Sequence, residues 1–100
     1  MPTTLEPVKV KETNSETKKK FYPNYRVLLY NDDSVWAGLV MEALQKHVPN
    51  MNETKATSVM LQAHNTGLGE VIVCAQEHAE MYQDLLQGEG LTITIEPMEV

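Results

Sequence analysis

Six consecutive residues, Tyr25–Tyr30 (YRVLLY), are apolar, aromatic or β-branched at every position except one. A Pro-Asn pair precedes this run and an Asn-Asp-Asp triplet follows it. Such a run between turn-forming residues predicts a buried β-strand. Because a buried strand must pair with other strands and be covered by a second layer, the rest of the chain has to supply a sheet and its cover.

The patterns after this strand predict three helices and two further strands. Apolar residues recur at helical spacing from Trp36 to His47, and Asp33 or Ser34 is the expected N-cap of that helix. Asn52 is the expected N-cap of the next helix. The predicted elements are a strand over 25–30, helices over 35–47 and 53–65, a strand over 71–74, a helix over 76–87 and a strand over 91–95.

The order βααβαβ predicts an α+β fold, a two-layer sandwich in which three helices cover one face of a three-stranded sheet. The second and third strands are joined through one helix, so the crossover rule predicts that they run parallel. The first strand then fits between them, antiparallel to both. We expect one domain over 23–98.

Residues 1–22 differ in composition from the rest, because Thr, Glu and Lys dominate and no apolar period emerges. We expect a flexible, disordered arm. Residues 1–24 hold five Lys and three Glu, whereas residues 25–100 hold three basic and eleven acidic side chains. A body this acidic repels the phosphate backbone of nucleic acids, so nucleic acid is not an expected partner. The same charge makes copies of the chain repel one another, so we expect a monomer. No apolar run approaches 18 residues and no signal peptide is present, so neither membrane insertion nor secretion is expected.

Polar side chains gather where the first strand ends. Asn31, Asp32 and Asp33 stand near a helix N-terminus. A purely structural role is open for each of them: Asp33 as the cap of the helix, Asn31 in an Asx turn and Asp32 facing solvent. His64 lies on the apolar stripe of the second helix, where a partly buried structural role is also open. If the first two helices pack together, an apolar hole lined by Met60 and the first helix would have this acidic rim. Such a hole suits a cation on an apolar stem.

Enzymatic chemistry has little support in the sequence. Cys74 lies in an apolar strand, where burial disfavours the thiolate. His47, His64 and His78 lack metal-ligand spacing, and no glycine-rich phosphate loop accompanies the two aspartates. We therefore expect no catalytic residue, no metal and no cofactor.

Two segments together resemble the ClpS family of Clp protease adaptors. One is YRVLLYNDD over 25–33, and the other is ATSVMLQAH over 56–64, followed by Gly67. The resemblance covers residues 22–97, and the basic lead into FYPNY is similar to a cyanobacterial or plastid branch. The resemblance implies an adaptor that recognises N-degrons, which are substrates beginning with a bulky hydrophobic residue, and hands them to a Clp AAA+ unfoldase.

The resemblance also implies roles for individual residues. Asn31, Asp33 and His64 would hold the α-amino group of the substrate, and Asp32 would support their turn. The side-chain pocket would be formed by Val35, Ala37, Val40, Met60 and Leu91.

The partner implied by the resemblance is the N-domain of a ClpC- or ClpA-type unfoldase. Glu77 and Tyr82 would contact it, although a basic residue is often found in the family at the second of these positions. The arm, residues 1–20, would engage the unfoldase during delivery. The implied location is the cytoplasm, or the plastid stroma in a plastid-bearing organism.

One segment departs from the family pattern. Many relatives have Thr-Pro-Met after Asn-Asp-Asp, whereas this chain has Val35-Trp36-Ala37. Ala in place of Met predicts a wider pocket and a different set of accepted first residues, unless Trp36 swings in to fill the space.

Two other classes of function remain open at this point. The same βααβαβ order occurs in small protein-interaction or ribosome-associated modules, in which Asn31 and His64 would be structural and a free amine would have no role. A hydrolase built on Asp32 and Asp33 would require metal-dependent turnover.

Overall fold

The computed structural model describes residues 23–98, so the expected arm over 1–22 lies outside the described residues. Within this range, three strands and three helices follow one another in the predicted order βααβαβ. The elements are β1 (Tyr25–Tyr30), α1 (Ala37–His47), α2 (Glu53–Thr66), β2 (Leu68–Cys74), α3 (Gln76–Gly88) and β3 (Ile93–Pro97).

β1 is the central strand of the sheet, whose order is β2-β1-β3. Both neighbours run antiparallel to β1, and Leu29 stands opposite Gly69 on one side and Ile93 on the other. The outer strands are therefore parallel to each other without touching, as the crossover rule predicts. The register between β1 and β2 shifts after Val27, where Val71 is left without a partner. Such a bulge bends and twists the strand locally.

The helices form one layer with a continuous core between them and the sheet. Val27 and Leu29 of β1 pack in the same cluster as Leu44 of α1, Val59 of α2 and Leu86 of α3. Side chains alternate between the two faces of a strand, so this cluster defines the covered face. The α+β two-layer sandwich expected from the sequence is confirmed.

The start of α1 differs from the prediction. The helix begins at Ala37, and its N-cap, Trp36, makes no side-chain capping bond. The capping role predicted for Asp33 or Ser34 is therefore wrong. The chain first makes a tight turn, in which the Val35 N–H donates to the Asp32 carbonyl at 3.0 Å. Asp32 and Ser34 are hydrogen-bonded to each other within that turn, before the helix starts.

The start of α2 was predicted correctly, whereas the strands after α2 and α3 begin elsewhere than expected. Asn52 caps α2 by accepting from the Lys55 N–H at 2.8 Å, and Gly67 ends the helix with a positive φ of 90°. β2 starts directly afterwards, at Leu68 instead of 71. β3 starts at Ile93 instead of 91, because the Leu91 N–H still donates to the Leu86 carbonyl at the end of α3.

Candidate functional site

A cavity of about 230 Å³ opens where β1 passes into α1 and where α2 ends. Its lining comes from four parts of the chain: the end of β1, the following turn with α1, the last turns of α2, and the segment before β3. Every residue expected at a ligand site lines it, namely Asn31, Asp32, Asp33, Val35, Ala37, Val40, Met60, His64 and Leu91.

The polar end of the cavity is the turn after β1. The Asn31 N–H donates to the Gly67 carbonyl at 3.2 Å, so the start of the turn is fastened to the end of α2. The Asn31 side-chain amide donates to Asp33 Oδ1 at 3.4 Å, a long hydrogen bond. The Asn31 amide group and the Asp33 carboxylate thus lie side by side, and each has an oxygen that can accept a hydrogen bond.

The Asp32 carboxylate is occupied within the fold. Its Oδ1 accepts from the Ser34 N–H at 3.0 Å and from the Ser34 hydroxyl at 2.6 Å. Its Oδ2 accepts from the Thr92 hydroxyl at 3.0 Å. These donors favour the ionised form, so they lower the pKa of Asp32 below its ordinary value of 3.8, the side-chain bond from Ser34 having the largest effect. Asp32 therefore forms the Asx turn, a role that the sequence left open for Asn31.

His64 completes the polar rim from the last turn of α2. Its side chain is exposed and lines the cavity, so the partly buried structural role is not the one it has. Met60 lies one helical turn earlier, half-buried against the core. The four-residue spacing places both side chains on the same face of α2.

The apolar end of the cavity is formed by Val40, Met60 and Leu91. Val40 and Leu91 are buried in the core, with Leu91 only 4% exposed. Ala37 lines the cavity as well. Trp36 does not: the residue is 75% exposed, and its ring lies over Gly38, where an added Cβ would collide with it. The ring therefore leaves the space beside Ala37 open.

Glu77 and Tyr82, expected to contact the unfoldase, do not line the cavity. Glu77 is exposed in the first turn of α3. Tyr82 is only 8% exposed and packs in the core, so it presents little surface to a partner.

Metal binding and nucleophilic catalysis were considered for residues 23–98 as well. Among residues 23–98, no three His, Cys, Asp or Glu side chains are grouped so that they could hold a metal ion. Burial raises the pKa of the Cys74 thiol, which disfavours a nucleophilic thiolate. No helix in this range is long and apolar enough to cross a membrane.

Sequence reasoning missed several lining residues, of which Tyr30, Leu61 and Thr92 have exposed side chains. Alternation in the last predicted strand could have placed Thr92 on the face opposite Leu91. No local pattern could have paired it with Asp32, because that contact spans 60 positions of sequence.

An apolar cavity with a rim of hydrogen-bond acceptors, held in a βααβαβ sandwich, defines a small α+β binding protein. Comparison with known proteins specifies the family. The family model described as "ATP-dependent Clp protease adaptor protein ClpS" matches residues 20–94. This chain therefore belongs to the ClpS family, whose members are adaptors of the Clp protease and not enzymes.

Individual relatives agree with this assignment. The ClpS of Gloeobacter violaceus is 49% identical over 80 residues, which cover 80% of this chain and 86% of the relative. A chloroplastic Clp protease adapter of Arabidopsis thaliana is 40% identical over 91 residues, covering 91% of this chain and 57% of the relative.

A solved structure agrees with the fold. Agrobacterium tumefaciens ClpS2 bound to L-phenylalaninamide matches with a TM-score of 0.65 at 32% identity, covering 76% of this chain and 98% of the solved one. Membership of this adaptor family decides against the two other classes of function that the sequence left open, a protein-interaction or ribosome-associated module and a hydrolase.

Proposed function

We propose that this adaptor binds the N-terminus of proteins that begin with a bulky hydrophobic residue. The observation that carries the proposal is the joining of two kinds of surface in one cavity. Asn31, Asp33 and His64 lie at its rim, whereas Met60 and Leu91 lie at its apolar end. A free N-terminal residue has the matching pair of features, an ammonium group beside an apolar side chain.

The rim suits an ammonium group in charge and in hydrogen bonding. An α-amino group has a pKa of about 8, so at neutral pH it is mostly charged and carries three donors. Asn31, Asp33 and His64 supply the acceptors. Residues within a chain lack this charge, so the site would select chain ends.

The energies explain why both features are needed. Burying a Leu or Phe side chain contributes about 2–3 kcal/mol. Each charge-assisted hydrogen bond contributes about 1.5–3 kcal/mol. After the cost of ordering the peptide, we expect a micromolar affinity, near −8 kcal/mol. Either half alone falls short of this.

The solved relative supports this ligand class. L-phenylalaninamide, bound to ClpS2 of Agrobacterium tumefaciens, has a free α-amine and an aromatic side chain. An amide in place of its carboxylate resembles the start of a peptide chain. We therefore assign Asn31, Asp33 and His64 to the amine, Asp32 to support of the turn, and the apolar end to the first side chain. Val35 and Ala37, which also line the cavity, are assigned to the first side chain together with Val40, Met60 and Leu91 of the apolar end.

The proposed partner is the N-domain of a ClpC- or ClpA-type unfoldase, which a monomer of this adaptor would contact around exposed Glu77. Core packing of Tyr82 favours a contact that does not depend on it. The arm over 1–20, outside the described residues, is proposed to engage the unfoldase during delivery. The cytoplasm or the plastid stroma is the proposed location, in keeping with cyanobacterial and chloroplastic relatives.

The test is fluorescence anisotropy of labelled peptides that differ only in the first residue, each with a free and an acetylated amine. We expect micromolar binding to some of Phe, Tyr, Trp and Leu and its loss on acetylation. Peptides with Ser or Glu in first place are the matched controls. Equal binding of free and acetylated peptides, or no binding at all, would overturn the proposal.

A second measurement concerns delivery. Deleting residues 1–20 is expected to leave peptide affinity unchanged and to slow degradation of a substrate by the unfoldase and protease. Equal degradation rates for the truncated and full chains would contradict a role for the arm.

A further inference from the structure

The turn after β1 is tied to the segment that leads into β3. Thr92 Oγ1 donates to Asp32 Oδ2 at 3.0 Å. The backbone of the same residue also takes part, since the Tyr30 N–H donates to the Thr92 carbonyl at 3.0 Å. Thr92 thus holds the end of β1 through its main chain and the following turn through its hydroxyl.

Asp32 transmits this contact to both of its neighbours. Its Oδ1 accepts from Ser34 and its Oδ2 accepts from Thr92, so the carboxylate bridges the turn and the segment that leads into β3. Asn31 and Asp33 flank it in sequence, and both offer acceptors to the cavity. A rotation of Asp32 would therefore displace the acceptors on both sides.

The residue before Thr92 belongs to the other half of the cavity. Leu91 is 4% exposed and forms part of the apolar end. Leu91 and Thr92 therefore connect the two ends of the cavity: Leu91 lines the apolar end, and Thr92 holds the turn that forms the polar rim. Their spacing along the backbone is fixed, so they set the distance between an ammonium group and its side chain.

We infer that Thr92 is a positioning residue of the binding site, whose hydroxyl holds the Asn31–Asp33 turn in register with the apolar wall at Leu91. The inference rests on the proposed function. It assigns Thr92 no contact with the ligand.

The first test is peptide affinity in the full chain with Thr92→Val, which keeps the branched shape and removes the hydroxyl. Loss of an exposed hydrogen bond to a charged group predicts about three- to tenfold weaker binding. The loss should be equal for every first residue, so that their ranking stays the same. Thr92→Ser retains a hydroxyl and is expected to restore most of the affinity.

Two further variants separate positioning from other effects. Thr94→Val makes the same change on β3 away from the cavity lining and is expected to bind like the parent. In an Asp32→Ala background, Thr92→Val should cause no additional loss, because the two residues act through one bond. Affinity within twofold of the parent for Thr92→Val, or an undiminished loss in the Asp32→Ala background, would overturn the inference.

A measurement without peptide keeps the inference separate from the proposed function. The Thr92 hydroxyl helps to lower the pKa of Asp32, so Thr92→Val should raise that pKa in a carboxyl titration followed by NMR. Asp33, His64 and Tyr30, the other ionisable residues that line the cavity, are the same in the parent and in the Thr92→Val variant. A change in the Asp32 signal between the two proteins therefore reports the loss of the Thr92 hydroxyl.

If the parent bound no free-amine peptide, the proposed function would fail, while this titration would still decide whether Thr92 holds the turn. An unchanged Asp32 pKa would overturn the inference. Thr92→Ala serves for both measurements if the valine variant does not fold.

Discussion

Asp32 and Asp33 are adjacent and chemically identical, but their hydrogen-bonding environments give them different roles. Asp32 accepts three hydrogen bonds from Ser34 and Thr92. Within residues 23–98, Asp33 accepts a single long one, from Asn31 at 3.4 Å. A carboxylate has about four lone-pair positions, so Asp33 keeps acceptors for a ligand while those of Asp32 are largely used.

Asp33→Ala is therefore expected to weaken peptide binding about tenfold or more, because a charge-assisted bond to the ammonium is lost. The melting temperature should change little, since Asp33 does not cap α1. Anisotropy and thermal unfolding of the variant measure the two effects. Asp84→Ala, which removes the same charge from an exposed position of α3, is the control. Retained binding with a large loss of melting temperature would show that the residue is structural.

Ala37 is expected to determine which first residues are accepted. It lines the cavity, and Trp36 leaves the adjacent space open. Ala37→Met should narrow the pocket and weaken binding of the widest first side chains, Trp above all, relative to Leu. Peptide affinities for the parent and the variant test this. An unchanged ranking of first residues would contradict it.

Among the elements, α2 and β2 pack more closely than a side chain on the strand would allow. A Cβ on Gly69 would lie 2.5 Å from the Val59 carbonyl and 3.2 Å from the Ala63 nitrogen, both backbone atoms of α2. α2 carries Met60 and His64 into the cavity. The glycine therefore sets where two of the proposed binding residues stand.

Gly69→Ala is expected to destabilise the protein by about 1–3 kcal/mol, because backbone of α2 must move away. Peptide binding should weaken as Met60 and His64 shift with the helix. Gly88→Ala is the matched control: nothing lies within 4 Å of its Cβ, and alanine favours the helix by about 0.5–1 kcal/mol. Urea unfolding gives both values. Equal stability of the Gly69→Ala variant and the parent would refute the close-packing argument.

At the scale of the whole molecule, a cluster of Lys46, His47 and Glu89 joins the C-terminal ends of α1 and α3. His47 Nε2, at the end of α1, lies 2.7 Å from Glu89 Oε2, directly after α3. Lys46 Nζ lies 3.3 Å from the same oxygen. The bond from His47 and then that from Lys46 lower the pKa of Glu89 below its ordinary value of 4.5.

A pKa lowered by folding makes stability depend on pH in a defined direction. The contribution of Glu89 is fully present above its unfolded pKa, near 4.5, and is lost as pH falls through the lower folded value. The contribution of Glu89 to the free energy of unfolding should therefore be steady from pH 7 to about 5 and decline below 4.5, where Asp32 adds a loss of the same sign.

Urea unfolding of the parent and of Glu89→Gln between pH 7 and 3 measures this. The difference between them should be largest at neutral pH and shrink below pH 4.5. Glu42→Gln removes a carboxyl from an exposed position of α1 and is the control. A constant difference across the range would contradict the linkage.

Local signals predicted the order of the elements well. The YRVLLY run, the alternation in Leu91–Ile95 and the Asn52 cap each lie within a few residues of the structure they specify. Element boundaries were less accurate where two uses competed for one residue. Asp32 took part in a turn before α1, and Leu91 still closed the end of α3.

The sequence alone determined the α+β class and the topology, because hydrophobic periodicity and turn residues are local features. The resemblance carried by YRVLLYNDD and by the segment that ends in His64 supplied nine of the residues that line the cavity, but not Tyr30, Leu61 or Thr92. Only the tertiary structure decided that Thr92 donates to Asp32 and that Trp36 lies over Gly38 outside the cavity. The physical reason is the same in each case. A side chain's hydrogen-bond partners and its burial depend on atoms far away in sequence, whose positions are set when the helices pack on the sheet.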